Sequence, residues 1–507
     1  MLGEGKWGTL VAVAISTFML LLDITVVNVA LPDIQSDLGA SFNELRWVID
    51  AYALGLGATM LSFGSLADWL GRRRVFQIGL VLFSVSSLAC GLAWDPVVLD
   101  VLRGVQGFGG AAMFATSLAL IAAAYEGRDR STALAVWGAT TSAAVAIGPL
   151  IGGALVDLFS WEAVFFVNVP IGIFTAALAA RAIPETRDPT ASGRLDIGGL
   201  VTGAGSMTLL VLALFRGNDE GWGSTLIVGL FAGSALLMAA FIAIERRAER
   251  PLLDLTLFRK PTTTGASLSI LATAISVFGM LTFLVLYIQS ALGYGAFETG
   301  LRLFPLTVAS FFAAAAGARL AERVELRFLL AAGMVFAGVG MLLNTAVSES
   351  SDWTVLIPGG VLIGAGAGLV NPAVAAAALG AAPPTKSGMA SGLNGTFRTL
   401  GIAIGVAALG AILENRIEDR LSQLLPGAPA GLADVVATGN LDAAAASAPP
   451  GAEAQVASAV NEAFVYGMDA IFVAAAAIAF IGAALAVALV RQKDISTSHA
   501  GSEAAAA

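Results

Sequence analysis

From Gly8 to Val490 the chain keeps returning to apolar runs of about 20 residues, separated by short polar stretches. A helix of that length crosses the roughly 30 Å hydrocarbon core of a bilayer. In hydrocarbon each backbone N–H and C=O must find its partner inside the protein, and a helix supplies those partners locally. Only 12% of residues are charged and 57% are hydrophobic, with mean hydropathy +0.84; an ordinary soluble domain carries about 25% charged residues. The expected fold is therefore all-α and polytopic. About fourteen spans are expected, near 8–31, 46–67, 75–93, 97–122, 132–156, 163–182, 196–215, 223–244, 264–288, 299–318, 328–347, 355–379, 391–413 and 464–490.

Charge sorts by loop. Arg72, Arg73 and Arg74, Arg128 and Arg130, Arg181, Arg187 and Arg194, Arg246, Arg247, Arg250, Arg259 and Lys260, and Arg319, Arg323 and Arg327 fall on one side with Lys6, Lys386, Arg491 and Lys493. That is about 20 of the 27 basic residues, against about four (Arg46, Arg216, Arg416, Arg420) on the other. The positive-inside rule makes the first side cytoplasmic, puts both termini there and requires an even number of spans. The opposite loops are acidic (Asp33, Asp37, Glu44, Asp219, Glu220, Glu349, Asp352). The expected location is a bacterial-type plasma membrane. No cleavable signal peptide is evident, because the first apolar run is of spanning length and lacks a small-residue cleavage site. With Cys90 alone, no intramolecular disulfide forms, and the single histidine, His499, lies in the tail, a poor place for proton coupling.

GSLADWLGRRRVFQIG (64–79) resembles ARLAERVELRFLLAAG (318–333) at a constant offset of 254 residues. Leu66, Ala67, Asp68, Arg73 and Gly79 align with Leu320, Ala321, Glu322, Arg327 and Gly333. The alternative is chance similarity between two short basic loops. Read as a repeat, the chain divides into a six-helix bundle at 1–185, two inserted helices with their flanking loops at 186–260, a second bundle at 261–490, and a tail at 491–507. The stretch 414–461 is an external loop without an apolar span, partly ordered or in short helices, and the tail reads as disordered. Two parallel halves of this kind are a transporter architecture with the substrate site near the midplane between them.

Several residues stand out against the apolar background. Asp23 lies about 13 Å below Pro32, and Arg103 about 10 Å below Pro96, counting 1.5 Å per residue. Charges at that depth are costly unless paired and usually mark ion or substrate pathways, so the two form the natural pair. Snorkelling explains an arginine, but not an aspartate whose side chain is too short to reach the interface. Asp100 shares the face of Arg103 one turn outward. Asp50 either lines the external cavity as a second carboxylate or is an interfacial group wetted by water. In Gly64-x-Leu66-Ala67-Asp68-x-x-Gly71-Arg72-Arg73-Arg74, Gly71 permits a tight turn, and Asp68 can pair with Arg72 and Arg73 at the cytoplasmic ends of neighbouring helices as a gate. Three arginines alone would support only anchoring. Gly148, Pro149, Gly152 and Gly153 combine a kink with close helix approach.

These motifs, with FFVNVPIG (165–172), LYIQSALGY (286–294) and SGMASGLNGTFRTLGIAIG (387–405), make the chain resemble the fourteen-spanner drug:proton antiporters of the major facilitator superfamily over nearly its whole length. The resemblance implies that Asp23 senses protons or cationic substrate, that Arg103 takes part in proton transfer, that Asp68 and Arg72 form the cytoplasmic gate, and that Gly148 and Pro149 belong to the antiporter signature. Glu162 stands where the family usually has arginine, Ala144 replaces a glycine of the fifth-helix motif, Asp50 stands where small or hydroxyl residues are common, and Glu325 replaces the second-half loop glycine.

The expected activity is export of an amphipathic, cationic or neutral compound in exchange for protons. Protons are the coupling ion, and no cofactor or metal is expected. The partners are that small molecule and the lipid bilayer, with no nucleic acid, in a monomer. Val277 and Ile357 occupy the second-half positions equivalent to Asp23 and Arg103, so coupling is expected in the first half. The cavity is assigned to Asn28, Gln106, Phe278, Phe283, Tyr287, Gln289 and Asn371, although phenylalanines in spans also serve simple packing. Rival readings are a proton-coupled transporter of a specific metabolite, siderophore or lipid, and a non-transporting receptor or scaffold. The absence of a phosphate-binding loop and of a metal-ligand cluster argues against an enzyme.

Overall fold

A computed structural model describes residues 4–40, 42–187, 196–248, 251–321, 323–347, 351–426, 431–446, 448 and 452–495. Arg194, Arg250, Glu322, Glu349, His499 and the tail beyond 495 lie outside them, as do the side chains of Arg46, Pro149 and Asp219. The first half comprises α1 (Glu4–Leu38), α2 (Phe42–Leu70), α3 (Arg72–Cys90), α4 (Pro96–Ala124), α5 (Gly127–Leu158), α6 (Ala163–Phe166) and α7 (Asn168–Ala182). Two helices follow, α8 (Ile197–Glu220) and α9 (Thr225–Glu245). The second half holds α10 (Pro261–Thr273), α11 (Met280–Ser290), α12 (Ala296–Arg302), α13 (Phe304–Leu320), α14 (Leu326–Asn344), α15 (Leu356–Ala381), α16 (Ser387–Leu424), α17 (Leu432–Ala437), α18 (Leu441–Ala446) and α19 (Glu453–Leu489). A π-helical turn, Ala274–Gly279, joins α10 to α11.

Among the described residues, twelve helical stretches are long and apolar enough to cross a membrane. Helix ends follow local chemistry. Asp95 caps α4 by accepting from the N–H of Val97 at 2.9 Å, with Pro96 as first helical residue; proline lacks the N–H that would be unpaired there. Asp196 caps α8 through Gly199 N–H at 2.7 Å, and Ser224 caps α9.

The offset of 254 reappears in the fold. Shifted by it, Arg72–Cys90 falls on Leu326–Asn344, the whole of α14. α2 and α3 both pack on α4, as α13 and α14 pack on α15. Gly79 lies against Ala112, and Gly333 lies against Gly366, a pair related by the same shift. A β-carbon on either glycine would fall within 3 Å of the facing backbone, so the close approach of these helices requires the missing side chain.

One sequence expectation changes and one takes definite form. α1 continues through Pro32 to Leu38, so Pro32 does not mark the helix end and the depth of Asp23 cannot be counted from it. The stretch 414–461 is largely helical in its described part: α16 runs on to Leu424, α17 and α18 are short helices, and α19 starts at Glu453. The periodic apolar signal ends where helices leave hydrocarbon, whereas the helices themselves do not.

The inserted pair α8 and α9 is knitted together by reciprocal hydroxyl-to-carbonyl bonds between Ser206 and Ser234, both 2.9 Å. α8 packs on α2 and α16, so the pair lies over the seam between the halves. At its acidic end the Arg216 guanidinium stacks on Trp47 of α2 (4.9 Å to the ring centroid), and Asn218 reaches the Ala407 carbonyl of α16.

Candidate functional site

The charge expected to be anomalous in α1 is fully enclosed. Asp23 is 2% exposed and Arg103 1%. Arg103 Nη1 lies 2.5 Å from Asp23 Oδ2, so the two are level despite the continued helix. The other carboxylate oxygen accepts from Gln106 Nε2 (3.0 Å) and Asn168 Nδ2 (2.8 Å). Arg103 donates further to the Val48 carbonyl (3.0 Å) and Gln106 Oε1 (2.8 Å), and its guanidinium lies 4.2 Å from the centroid of the Tyr52 ring. Asn168 also donates to Ser87 Oγ at 3.0 Å, and Ser87 donates to the Phe165 carbonyl. Every partner of Asp23 is a donor, which suits an ionised carboxylate that can only accept.

This network draws on α1, α2, α3, α4 and α7, all in the first half. Gln106, assigned to the cavity from sequence, has both ends of its amide committed here. Tyr52, Ser87 and Asn168 were not singled out; the asparagine in FFVNVPIG was the one available signal. Gly148 and Gly152 bring α5 onto Thr25 and Val26 of α1, just beyond Asp23, while Gly153 faces Phe297 of the second half. Asp50 is buried, and Asp100 stands in the combined field of Glu44, Asp50, Asp95 and Arg103, so the outer side of the network is acidic. Asn28 is exposed.

A second cluster closes the basic end. Arg72 Nε and Nη2 donate to Asp68 Oδ1 at 3.0 and 2.8 Å. Asp68 then crosses the seam: Oδ1 accepts from Gly388 N–H (2.9 Å) and Oδ2 from Met389 N–H (2.8 Å), at the start of α16. An anion at a helix N-terminus satisfies free N–H groups and is favoured by the helix dipole. Arg72 Nη2 also donates to the carbonyls of Pro384 and Thr385, each at 3.1 Å. Gly64 makes the crossing possible: a β-carbon there would meet Gly388 O at 2.5 Å. Gly71 has φ +116°, which favours glycine, and Glu185 fills the space beside it. Arg73 turns away from the seam, with its N–H on Glu185 (3.1 Å) and its guanidinium on the Ile183 carbonyl (3.2 Å). In the second-half copy, Arg327 pairs with its own neighbour Glu325 at 2.8 Å.

The segment after α9 braces this clamp. Lys386 pairs with Asp254 at 2.5 Å, Ser65 of α2 donates to the Leu252 carbonyl, and Glu245 accepts from Leu253 N–H at 3.1 Å. Burial works against the charge of Asp254, but hydrogen bonds from Lys386 and Thr256 outweigh it and hold the carboxyl below its usual range.

The second half also buries charge. Arg398 of α16, 5% exposed, donates to Asn371 Oδ1 at 2.9 Å. Asp469, on α19, is a further carboxylate within a span; its Oδ1 is buried without a hydrogen bond among the described residues. Neither was singled out from sequence, although Arg398 lies inside a quoted motif. Phe278 faces Arg398 at 5.3 Å. Phe283 and Tyr287 lie in the second-half core, with Tyr287 stacked on Phe464 at 6.5 Å, and Gln289 is half-buried.

The sequence profile of the Major Facilitator Superfamily matches residues 13–406. The chain is 35% identical over 423 residues to the multidrug resistance protein Stp of Mycobacterium tuberculosis, covering 82% of this chain and 78% of that one. It is 32% identical over 492 residues to the tetracenomycin C resistance and export protein of Streptomyces glaucescens, covering 95% and 91%. Its fold resembles the proton:xylose symporter XylE bound to 6-bromo-6-deoxy-D-glucose, with TM-score 0.65, 12% identity and 97% of each chain covered. The chain is thus a multi-pass membrane protein, and it belongs to the Major Facilitator Superfamily.

Proposed function

We propose that this protein is a proton-coupled antiporter that exports amphipathic, drug-like compounds by alternating access. The observation that carries the reading is the Asp23–Arg103 pair, sealed inside one half and separated along the spans from a clamp that ties both halves at the basic end. The names of the relatives, which include resistance and export proteins, support it. Adding α5 and α13 to the twelve candidates makes fourteen spans. α5 is 32 residues long and packs on α1 and α13; α13 is a shorter apolar helix in the place of the second span of its half. The basic end is then cytoplasmic, as are both termini, in a bacterial plasma membrane, and one chain forms the complete transport unit.

With the clamp formed, the cytoplasmic side is shut. A proton reaching Asp23 from the acidic side removes the charge that holds Arg103 and sets an O–H donor among groups that all donate to this carboxyl. The network loosens, and the change passes through Thr25 and Val26 to α5, which also touches the second half at Phe297. Coupling requires that proton and substrate favour different states of the clamp. In proteoliposomes bearing a pH gradient, wild-type protein moves substrate against proton flow and Asp23→Asn does not. Full proton-coupled transport by Asp23→Asn would overturn the role given to Asp23.

A further inference from the structure

Around Arg398 the structure gathers buried donors and, among the described residues, no paired acid. Arg398 Nε, Asn371 Nδ2 and Trp137 Nε1 are each buried without a hydrogen-bond partner among the described residues. Asn371 is 1% exposed and Trp137 0%. No carboxylate among the described residues forms an ion pair with Arg398; its charge rests on the rings of Phe278 (5.3 Å), Trp137 (5.6 Å) and Phe114 (6.0 Å). Phe114 and Trp137 come from the first half, Phe278, Asn371 and Arg398 from the second. Each of Phe114, Trp137, Asn371 and Arg398 lies ten or eleven residues from the basic end of its helix, about 15 Å into the bilayer and so near its middle. A buried cation normally has a counter-charge, and buried donors normally have acceptors. Here both are missing at one point on the seam.

We propose that Arg398, Asn371 and Trp137 form the substrate-recognition site, and that the substrate is an aromatic compound carrying a carboxylate or phenolate oxygen. The proposal rests on the transport reading above and narrows its substrate class, setting aside the cationic compounds expected from sequence. The oxygen takes the unpaired donors and the counter-charge position; the rings of Phe114, Trp137 and Phe278 hold the aromatic body by stacking. Because the donors come from both halves, the site is complete only when the halves close on the ligand.

Binding of 2-naphthoate, 4-nitrophenolate and the aromatic cation ethidium to the full-length protein in detergent tests this, without any pH gradient. Wild-type protein is expected to bind the two anions. Arg398→Gln weakens both by roughly tenfold or more, the value of a charge-assisted hydrogen bond, and does not weaken ethidium. Asn371→Ala weakens them less, and Arg398→Lys keeps part of the affinity. If Arg398→Gln does not fold, Arg398→Lys and Asn371→Ala must show the same discrimination. Wild-type protein that binds neither anion, or variants that lose ethidium as much as anions, overturns the proposal. Wild-type proteoliposomes with and without a pH gradient separate the two readings: anion binding that depends on Arg398 together with transport indifferent to the gradient removes the antiport assignment and leaves this site standing.

Discussion

Each half buries an arginine in the bilayer, and the two are treated in opposite ways. Arg103 meets Asp23 at 2.5 Å inside a ring of donors and acceptors that closes within the first half. Arg398 meets an amide and three rings, drawn from both halves, and no acid among the described residues. The halves share a fold but not a charge pattern: shifted by the repeat, Arg103 falls on Ile357 and Arg398 falls on Ala144. A satisfied pair can respond to a proton, because protonation breaks something. An unsatisfied cation can respond to a ligand, because the ligand completes something. In the proposed reading this is a division of labour: one half senses the proton and the seam senses the substrate.

The contrast breaks first at Arg103. Arg103→Ala leaves Asp23 buried without its counter-charge, and thermal unfolding in detergent should show a loss of about 3–5 kcal/mol. The double variant Asp23→Asn with Arg103→Gln should recover most of that, because no charge remains to be stranded. Next comes the clamp between the halves. Gly64→Val forces a side chain onto the Gly388 carbonyl and should disfavour the closed cytoplasmic side by about 1–3 kcal/mol, read as lost cross-linking between cysteines placed on α2 and α16. Arg398→Gln sharpens the comparison by its small effect: with no acid left behind, unliganded stability should change by about 1 kcal/mol or less in either direction. A loss as large as that of Arg103→Ala would mean that Arg398 has a structural partner.

The smallest effect belongs to the Asp254–Lys386 brace. The carboxyl of Asp254 is held below its usual range, so its contribution is present above the unfolded value and is lost only as pH falls through the lower folded one. The contribution of Asp254, read as the difference in cross-linking across the clamp between wild type and Asp254→Asn, should therefore be flat from about pH 5.5 to 8. Asp254→Asn should lower cross-linking by no more than about fivefold, as befits a partly exposed pair.

The network around Asp23 was half legible. Two charges in apolar runs announced themselves because hydrocarbon makes unpaired charge expensive. Tyr52, Ser87 and Asn168 did not, because polar neutral residues are common in spans and nothing local distinguishes those that meet a carboxylate. The clamp was legible on one side only: Asp68 and Arg72 stand in a recognisable motif, but their partners at Pro384, Thr385, Gly388 and Met389 lie more than 300 residues away. Arg398 was hidden by its setting among glycines and threonines, and its repeat equivalent is Ala144, so no charge in the first half points to it.

By itself, the sequence determined that the chain is a bundle of membrane helices, that it is built on two related halves, and that its basic loops lie together. Those properties are local: the length of an apolar run and the sign of a loop are set by neighbours in the chain. Only the tertiary structure decided which charges meet, where the halves touch and which donors stay unpaired. Those depend on side chains brought together from helices distant in sequence, and on glycines whose missing β-carbons let the helices come that close.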